Sequence, residues 1–326
     1  MNHLLRARSG WESGRPSTPI PTQNAELGEG VTGSPPMDVH LVDGTYELFR
    51  YYFALPSHVT AAGEEVAAAR GVVGTVLQLL EGGATHIGVA TDHVIESFRN
   101  DLYAGYKSSE GVEPAILGQF GLLEEALEAL GVVVWPMVDH EADDALASAA
   151  ASAAADPSVD RVLICTPDKD LGQCVGGKVV QLDRRKDAVS GVDEVRAKFG
   201  VPPESIPDYL GLVGDSADGF PGLPGWGAKS AAAVLARYGH LEAIPADVAD
   251  WDIALRGAGK LAATLAEHLD DAVLFRYIAT TVADLPVLDD VAALRWTGPA
   301  PSFPAMCERL DAVNLVDRAA RAAARV

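Results

Sequence analysis

Residues 38–44 read DVHLVDG, a short apolar run that ends in an aspartate followed by a glycine. Aliphatic and β-branched residues in a run of this length predict a buried strand, which we place at 38–42. The same pattern predicts four further strands, at 85–90, 132–135, 161–165 and 178–182. Runs with helical spacing lie between them, at 66–80, 115–130 and 141–155. Strands that alternate with helices predict βαβ units and an α/β fold with a mainly parallel sheet.

Acidic residues follow four of these strands. They are Asp43, Asp92, Glu141, Asp143, Asp144, Asp168 and Asp170. Taken singly, each has an ordinary explanation, such as a turn or an acid that complements the dipole of a helix. In a parallel sheet, however, the carboxyl ends of the strands line one crevice, which is where ligands bind. The sequence therefore predicts that acids from four separate segments converge at one place.

A cluster of carboxylates requires counter-charge, because like charges at close range raise each other's pKa. Hard divalent cations such as Mg²⁺ or Mn²⁺ take oxygen ligands and retain waters that can act as nucleophiles. Two such ions about 4 Å apart can stabilise both the attacking and the leaving oxygen of a phosphodiester. The acids therefore predict a site for two metals.

The strand pattern ends near residue 190 and short helices take over. We predict helices at 192–199, 205–213, 228–238 and 260–277. The domain prediction is an α/β domain at 37–190 and a helical subdomain at 191–326. Residues 15–36 are rich in Pro, Gly, Ser and Thr, and we predict a disordered tail at 1–36.

The chain has 326 residues and a net charge of −21, which argues against a nucleic-acid binder held by charge alone. Its three cysteines lack the CxxC spacing of metal or redox motifs, and we interpret them as reduced thiols of a cytoplasmic protein. No apolar run is long enough to cross a membrane, so no membrane partner is expected.

Six motifs in order resemble the bacterial 5′ nucleases, the 5′–3′ exonuclease and flap endonuclease family with a PIN-like fold. They are LVDG at 41–44, TD at 91–92 with SFR at 97–99, YAGYK at 103–107, EADD at 141–144, TPDKDL at 166–171, and GDSAD at 214–218 followed by FPG and GWGAKSA. The agreement covers roughly residues 37–290. The chain ends where the nuclease domain ends, so we expect no attached polymerase domain.

The resemblance implies a role for each acid. Asp43, Asp92, Asp143 and Asp144 would serve one metal, with Glu141 close by. Asp170, Asp215 and Asp218 would serve the second metal, and Asp168 would lie between the two. Asp215 and Asp218 enter only through the resemblance, because GDSAD alone has the composition of a turn.

The resemblance also implies how DNA is held. Residues 95–114 would form a helical arch in which Lys107 approaches the scissile phosphate and Arg99 helps to hold it. Tyr103 or Tyr106 would stack on a base. This arch is acidic at Glu110 and Glu113, where basic residues are usual in the family.

A helix–hairpin–helix is implied at about 214–238. Its turn would present the DNA-binding residues Gly225, Gly227, Lys229 and Ser230 to the phosphate backbone. A potassium ion often occupies such turns in the family.

The function predicted from these implications is a monomeric Mg²⁺- or Mn²⁺-dependent 5′ nuclease acting on DNA flaps, nicks or 5′ ends in repair and replication. Three alternatives stay open. One is a non-catalytic, structure-specific DNA-binding protein, and another is an RNA-degrading PIN-like enzyme. The third is a phosphatase of the haloacid-dehalogenase type, for which Asp43-Gly44-Thr45 matches but Leu41 stands at the position of the nucleophile.

Overall fold

The computed structural model describes residues 37–325, so the predicted disordered tail at 1–36 lies outside the described residues. Its centre is a sheet with the strand order β3-β2-β1-β4-β5-β6. The strands are β1 (Asp38–Asp43), β2 (His86–Asp92), β3 (Val133–Met137), β4 (Arg161–Cys165), β5 (Val179–Asp183) and β6 (Ala188–Ser190). Strands β1 to β5 pair in parallel and β6 pairs antiparallel to β5. The α/β prediction is confirmed, while the edge strand β6 was not predicted.

Strand β1 lies in the middle of the sheet and sets the position of the site. Leu41 and Val42 are fully buried, as expected for a strand covered on both faces. The register pairs Asp43 with Ala90 of β2 and Val42 with Cys165 of β4. The carboxyl ends of the central strands therefore meet at one edge of the sheet.

Helices cover both faces of the sheet and form a separate layer beyond it. They are α1 (Gly44–Ala54), α2 (Ala67–Glu81), α3 (Phe98–Leu102), α4 (Pro114–Ala129), α5 (Ala142–Ala155), α6 (Val192–Phe199), α7 (Ile206–Val213), α8 (Ala228–Tyr238), α9 (Ala258–Glu267), α10 (Leu269–Ala279), α11 (Phe303–Arg309) and α12 (Asn314–Ala323). Single 3₁₀ turns lie at Asp170–Cys174, Pro203–Ser205, Leu241–Ala243, Val248–Asp250 and Val291–Leu294. Helices α1, α2 and α4 share one apolar core with the sheet, and α5 packs in a second core on the other face. No helix among the described residues has both the length and the apolar character needed to span a bilayer.

The predicted helical subdomain is present and has its own apolar core, built mainly from α7 to α10. The helix predicted at 260–277 is wrong in one respect, because the chain breaks at His268 into α9 and α10. His268 has a backbone conformation outside the helical range, with φ −118° and ψ 28°.

The last described residues do not pack with that subdomain. Trp296 lies in the core shared by α2 and α4, and its indole N–H donates to the carbonyl of Leu130 at 2.8 Å. Phe303, Cys307 and Leu315 enter the same core. Residues 296–323 therefore return to the sheet layer and close its outer face.

In the segment predicted as a helical arch, residues 95–114, the short helix α3 is followed by turns, bends and irregular backbone until α4 begins at Pro114. It lies against the helical subdomain, where the amide of Lys107 donates to the carbonyl of Asp218 at 2.9 Å. The helical form of the arch is therefore not what this structure has. We call residues 95–114 the strap.

Candidate active site

Eight acidic side chains from five segments line the carboxyl edge of the sheet and the loop of the helical subdomain that faces it. We call them the acidic cluster: Asp43, Asp92, Glu141, Asp143, Asp168, Asp170, Asp215 and Asp218. Six have carboxyl groups whose pKa departs clearly from the usual value, which is typical of functional sites. The predicted convergence of acids is what the fold produces.

Asp43 ends β1 and begins α1. One carboxylate oxygen accepts from the amide of Tyr46 at 2.8 Å, so the side chain caps the helix, and the other accepts from the hydroxyl of Thr166 at 2.9 Å. Burial, with Asp168 and Asp92 nearby, raises the pKa of Asp43 to about 7. The carboxyl group is fixed in place and is costly to ionise without a cation.

Asp92 ends β2 and joins the sheet to helix α5. Its Oδ1 accepts from the amide of Ala142 at 2.6 Å, and its own amide donates to the hydroxyl of Thr45 at 2.7 Å. Burial is the main reason that its pKa is raised to about 6, and Glu141 adds to the rise. Asp92 and the first turn of α5 are therefore held as one unit.

Glu141 precedes α5 and forms ion pairs with basic residues of the strap. Lys107 Nζ lies 2.8 Å from Glu141 Oε2 and 3.2 Å from Asp218 Oδ1. Burial would raise the pKa of Glu141, but Lys107 and Arg99 outweigh it and the pKa is lowered. Burial likewise lowers the pKa of Lys107, but the charges of Asp218 and Glu141 outweigh it and hold the pKa well above its usual value. Lys107 thus bridges acids from the two halves of the molecule.

Asp143 and Asp168 lie at the centre of the cluster. Burial is the largest cause, and Asp168 and Asp43 the next, of a pKa for Asp143 well above its usual value. Asp168 Oδ1 accepts from the amide of Asp170 at 3.0 Å, which shapes the turn after β4. These contacts place Asp168 between the group around Asp43 and the group around Asp170.

Asp170, Asp215 and Asp218 form a compact trio. Each offers one carboxylate oxygen, and these oxygens lie within 4.8 Å of one another. Asp170 is 7% exposed, and its Oδ1 is buried with no hydrogen-bond partner among the described residues. Burial and Asp168 raise the pKa of Asp170 well above its usual value. A buried carboxylate oxygen without a partner, in a residue of such a trio, fits a bound cation.

The loop that carries Asp215 and Asp218 requires two glycines. Gly214 has φ +78°, and a Cβ there would lie 2.4 Å from the carbonyl oxygen of Pro221. Gly219 has φ +91°, and a Cβ there would lie 2.1 Å from the carbonyl oxygen of Gly105 in the strap. Only glycine fits positions this close to neighbouring backbone. The loop therefore folds back onto the sheet edge and touches the strap.

Asp144 does not face the cluster as the other acids do. It is fully buried, and its two oxygens pair with both terminal nitrogens of Arg99 at 2.7 and 2.8 Å. They also accept from the amides of Val282 and Glu141 at 2.8 and 3.0 Å. Four donors occupy the carboxylate, so in this structure Asp144 supports α5 and is not free to hold a metal.

Arg99 is correspondingly unavailable for the role predicted from the resemblance. It is 2% exposed and donates to the carbonyls of Ile278 and Thr280 as well as to Asp144. A guanidinium with these partners cannot hold a phosphate without breaking a buried ion pair. The structure instead places it as a strut between the strap, α5 and the end of α10.

The two tyrosines of the strap are also placed differently from the base-stacking prediction. Tyr106 is 5% exposed, and its hydroxyl donates to Glu141 Oε2 at 3.2 Å. The ring of Tyr103 packs edge-on against Phe275 with ring centroids 5.4 Å apart. Tyr106 offers no open face to a base, so its stacking role is not what the structure supports.

The predicted hairpin turn precedes α8. Gly225 has φ +81°, and Ser230 Oγ both accepts from the amide of Gly227 and donates to its carbonyl, at 3.0 and 2.9 Å. Gly225, Gly227, Lys229 and Ser230 line one cavity together with Arg256 and Lys260. The turn thus presents backbone amides and cationic side chains on one surface.

The chain matches two family descriptions in succession. Residues 38–200 match "5′-3′ exonuclease, N-terminal resolvase-like domain" and residues 201–302 match "5′-3′ exonuclease, C-terminal SAM fold". The chain belongs to the 5′–3′ exonuclease family. The 5′-3′ exonuclease of Aquifex aeolicus is 34% identical over 208 residues, which are 63% of this chain and 71% of that protein.

Longer relatives share the same region. DNA polymerase I of Mycobacterium leprae is 36% identical over 267 residues, which are 78% of this chain and 28% of the polymerase. The chain thus spans little more than a quarter of that relative's length.

Solved structures share the fold. T5 5′-exonuclease with bound divalent metal ions (zinc) aligns with a TM-score of 0.58 at 18% identity, covering 86% of this chain and 99% of that one. The catalytic core of Rad2 in complex with DNA substrate aligns with a TM-score of 0.56 at 15% identity, covering 86% and 91%. The nuclease fold, with its helical appendage, is confirmed.

The phosphatase alternative loses its basis. Leu41, at the position where that class has its nucleophile, is fully buried in β1, and the family match lies elsewhere.

Several residues that shape the site were given no role from the sequence. Thr45, Ser97 and Thr166 donate to or accept from the acids or their backbone, and Lys169 pairs with Asp215. Thr166 and Lys169 stand within the TPDKDL motif, so their proximity to the acids is visible in the sequence while their contacts are not. Val282 and Ile278, which complete the Arg99 strut, lie far along the chain and carry no motif.

Proposed function

We propose that this chain is a divalent-metal-dependent, structure-specific 5′ nuclease that hydrolyses DNA phosphodiesters at flaps, nicks and 5′ ends. The observation that carries the proposal is the acidic cluster, in which acids from the sheet edge and from the helical subdomain meet around the orphaned Oδ1 of Asp170. Family membership supports the same reaction class.

The donor set fits hard cations, because every candidate ligand is a carboxylate oxygen. We propose that Asp43, Asp92 and Asp143, with Glu141 close by, hold one Mg²⁺ or Mn²⁺. Asp170, Asp215 and Asp218 would hold the second, with Asp168 between them. When bound, such ions supply an activated water and neutralise charge on the phosphodiester. The pKa values of Asp43 and Asp92 are raised because these buried carboxylates lack a counter-charge, and a bound cation would supply it.

The remaining residues of the chain position the substrate. Lys107 is part-exposed at the junction of the two acid groups, where its ammonium can stabilise charge on the reacting phosphate. On the helical side, Gly225, Gly227, Lys229 and Ser230 would bind the backbone of the duplex through amides and charge. A potassium ion at this turn is part of the proposal. We further propose that the protein works as a monomer in the cytoplasm, in DNA repair and replication.

A 5′-flap duplex labelled at its 5′ end, with Mn²⁺ present, tests the function. Wild type and Asp317→Asn, a change on the exposed face of α12, should release the flap at equal rates. Asp168→Asn should reduce the rate by at least about a hundredfold, the scale on which single catalytic groups act. Equal cutting by Asp168→Asn and wild type would remove the site assignment.

The same assay separates the alternatives. Binding of the flap without cutting, in Mg²⁺ and in Mn²⁺, would identify a DNA-binding protein. Faster cutting of the matching RNA strand would point to an RNA-degrading enzyme.

A further inference from the structure

Lys169 stands between the two aspartates of the turn after β4, and it contacts an acid from the other half of the molecule. Its Nζ lies 2.6 Å from Asp215 Oδ2. The Asp215 side chain is 3% exposed and the Lys169 side chain is 35% exposed. A lysine ammonium is charged at neutral pH, so the contact is an ion pair.

Asp215 is also one of the three acids whose oxygens lie within 4.8 Å of one another. The Oδ1 of Asp170, in the same trio, is buried and has no partner among residues 37–325. The other oxygen of Asp215 accepts from the amide of Ala217 at 2.9 Å, which fixes the orientation of the carboxylate. A cation that binds Asp215 through Oδ2 therefore competes with the ammonium of Lys169 for the same oxygen.

We propose that Lys169 is an internal counter-ion that competes with the second divalent metal for Asp215 and thereby sets how tightly that metal is held. The proposal rests on the two-metal function above and extends it to a residue outside the ligand set. Within residues 37–325 no lysine or arginine makes a salt bridge with Asp43 or Asp92, so we expect the second site to be the weaker one.

Lys107 does not play the same part. It contacts one acid from each group, Glu141 and Asp218, so its removal changes the charge around both metals. Lys169 makes its close contact with Asp215, and its charge also acts on Asp170 of the same trio. A change at Lys169 should therefore alter one metal-binding event selectively.

The test is Mn²⁺ binding to the full chain without DNA, measured by calorimetry and by the electron paramagnetic resonance of free Mn²⁺. Lys169→Met should tighten the weaker class of sites by about five- to thirtyfold, the effect expected for loss of one close, half-buried ion pair. The tighter class should stay within about twofold of wild type, because screening weakens charge effects at longer range. Lys169→Arg, which keeps both charge and reach, should bind like wild type.

Lys198→Met is the matched control. Lys198 also places a positive charge near Asp168, but its ammonium packs over the ring of Phe199, 4.8 Å from the centroid. Its loss removes the same unit of charge without freeing Asp215, so the weaker class should change by less than about twofold. If Lys169→Met does not fold, Lys169→Gln retains a donor without the charge and carries the same expectation.

Three results would overturn the proposal. They are an unchanged or weakened second class in Lys169→Met, equal effects of Lys169→Met and Lys198→Met, and the absence of a second class in every variant. These readouts need no cleavage. A protein that binds Mn²⁺ as predicted but leaves flaps intact would contradict the proposed function and leave the competition at Asp215 standing.

Discussion

The pairing of Arg99 with Asp144 gives the sharpest test of how the site is built. Both side chains are almost fully buried, at 3% and 0% exposure, so solvent screens the pair very little. Removing one partner of a buried pair leaves an uncompensated charge and costs about 3–5 kcal/mol. Arg99→Met and Asp144→Asn should therefore each lower the free energy of unfolding by that order.

The double variant should not sum these losses. Once one charge is gone, the ion pair between Arg99 and Asp144 cannot be lost again. The remaining costs are the longer contact of Arg99 with Glu141 at 3.6 Å and the hydrogen bonds to Ile278, Thr280 and Val282, at about 1 kcal/mol for each hydrogen bond. We expect Arg99→Met with Asp144→Asn to be no less stable than either single variant, a coupling of about 3 kcal/mol. Urea unfolding of the four metal-free proteins near neutral pH measures it. Losses that add within about 0.5 kcal/mol would refute the strut.

Metal binding then separates the strut from a ligand. If Asp144 only supports α5, the double variant should regain most of the Mn²⁺ affinity that Asp144→Asn loses, because removing both side chains leaves no unpaired buried charge beside α5. If Asp144 itself holds the first metal, as the resemblance implied, the affinity stays low whatever stands at position 99.

Three further predictions follow from other parts of the molecule. With a chelator present, the metal-free protein should lose stability as pH rises from about 4 to about 7, because the raised pKa values of Asp43 and Asp92 leave the folded state holding protons that the unfolded chain has released. In thermal unfolding near pH 8, Asp43→Asn should be more stable than wild type by on the order of 2–4 kcal/mol. Wild-type stability that does not change with pH would contradict this prediction. Gly219→Ala should lower both the free energy of unfolding, by about 1–3 kcal/mol, and the rate of flap cleavage. Gly63 is the control, because it has φ +85° and a Cβ there would have nothing within 4 Å, so Gly63→Ala should show the backbone penalty alone. Equal losses of unfolding free energy in the two variants would exclude the contact with Gly105 as the cause. Trp296→Ala should lower the free energy of unfolding in urea by about 3–5 kcal/mol. Trp296→Phe keeps an aromatic ring but not the hydrogen bond to Leu130, and it should lower the free energy of unfolding distinctly less. A small loss in both variants would show that the return of residues 296–323 is dispensable for stability.

The sheet and its acidic edge could be predicted because both follow from local patterns. Short apolar runs form strands wherever they stand, and an aspartate directly after a central parallel strand must lie at the carboxyl edge. Asp43 and Asp92 needed no further information. Asp215 and Asp218 did, because their approach to the sheet depends on close backbone contacts such as that of Gly214 with Pro221.

The features that could not be predicted from the sequence mostly depend on contacts between residues distant along the chain. Asp144 looks like its neighbour Asp143 in the motif, but adjacent residues of a helix point in different directions, and Asp144 faces Arg99 and the amide of Val282. Helix α1 was missed because Asp43-Gly44 resembles a turn, whereas the carboxylate in fact caps the helix. The hydrophobic periodicity of α2 and α4 does not indicate that residues 296–323 return to pack against them.

That return bears on how the protein is made. Val72 and Leu127, on α2 and α4, share a core with Trp296, Phe303 and Leu315. A ribosome adding about 5–20 residues per second delivers those partners many seconds after the sheet layer has emerged. During that interval the nascent sheet layer exposes an apolar face that only the final helices cover. Early termination of synthesis should therefore yield an aggregation-prone product even though every acid of the cluster has already been made.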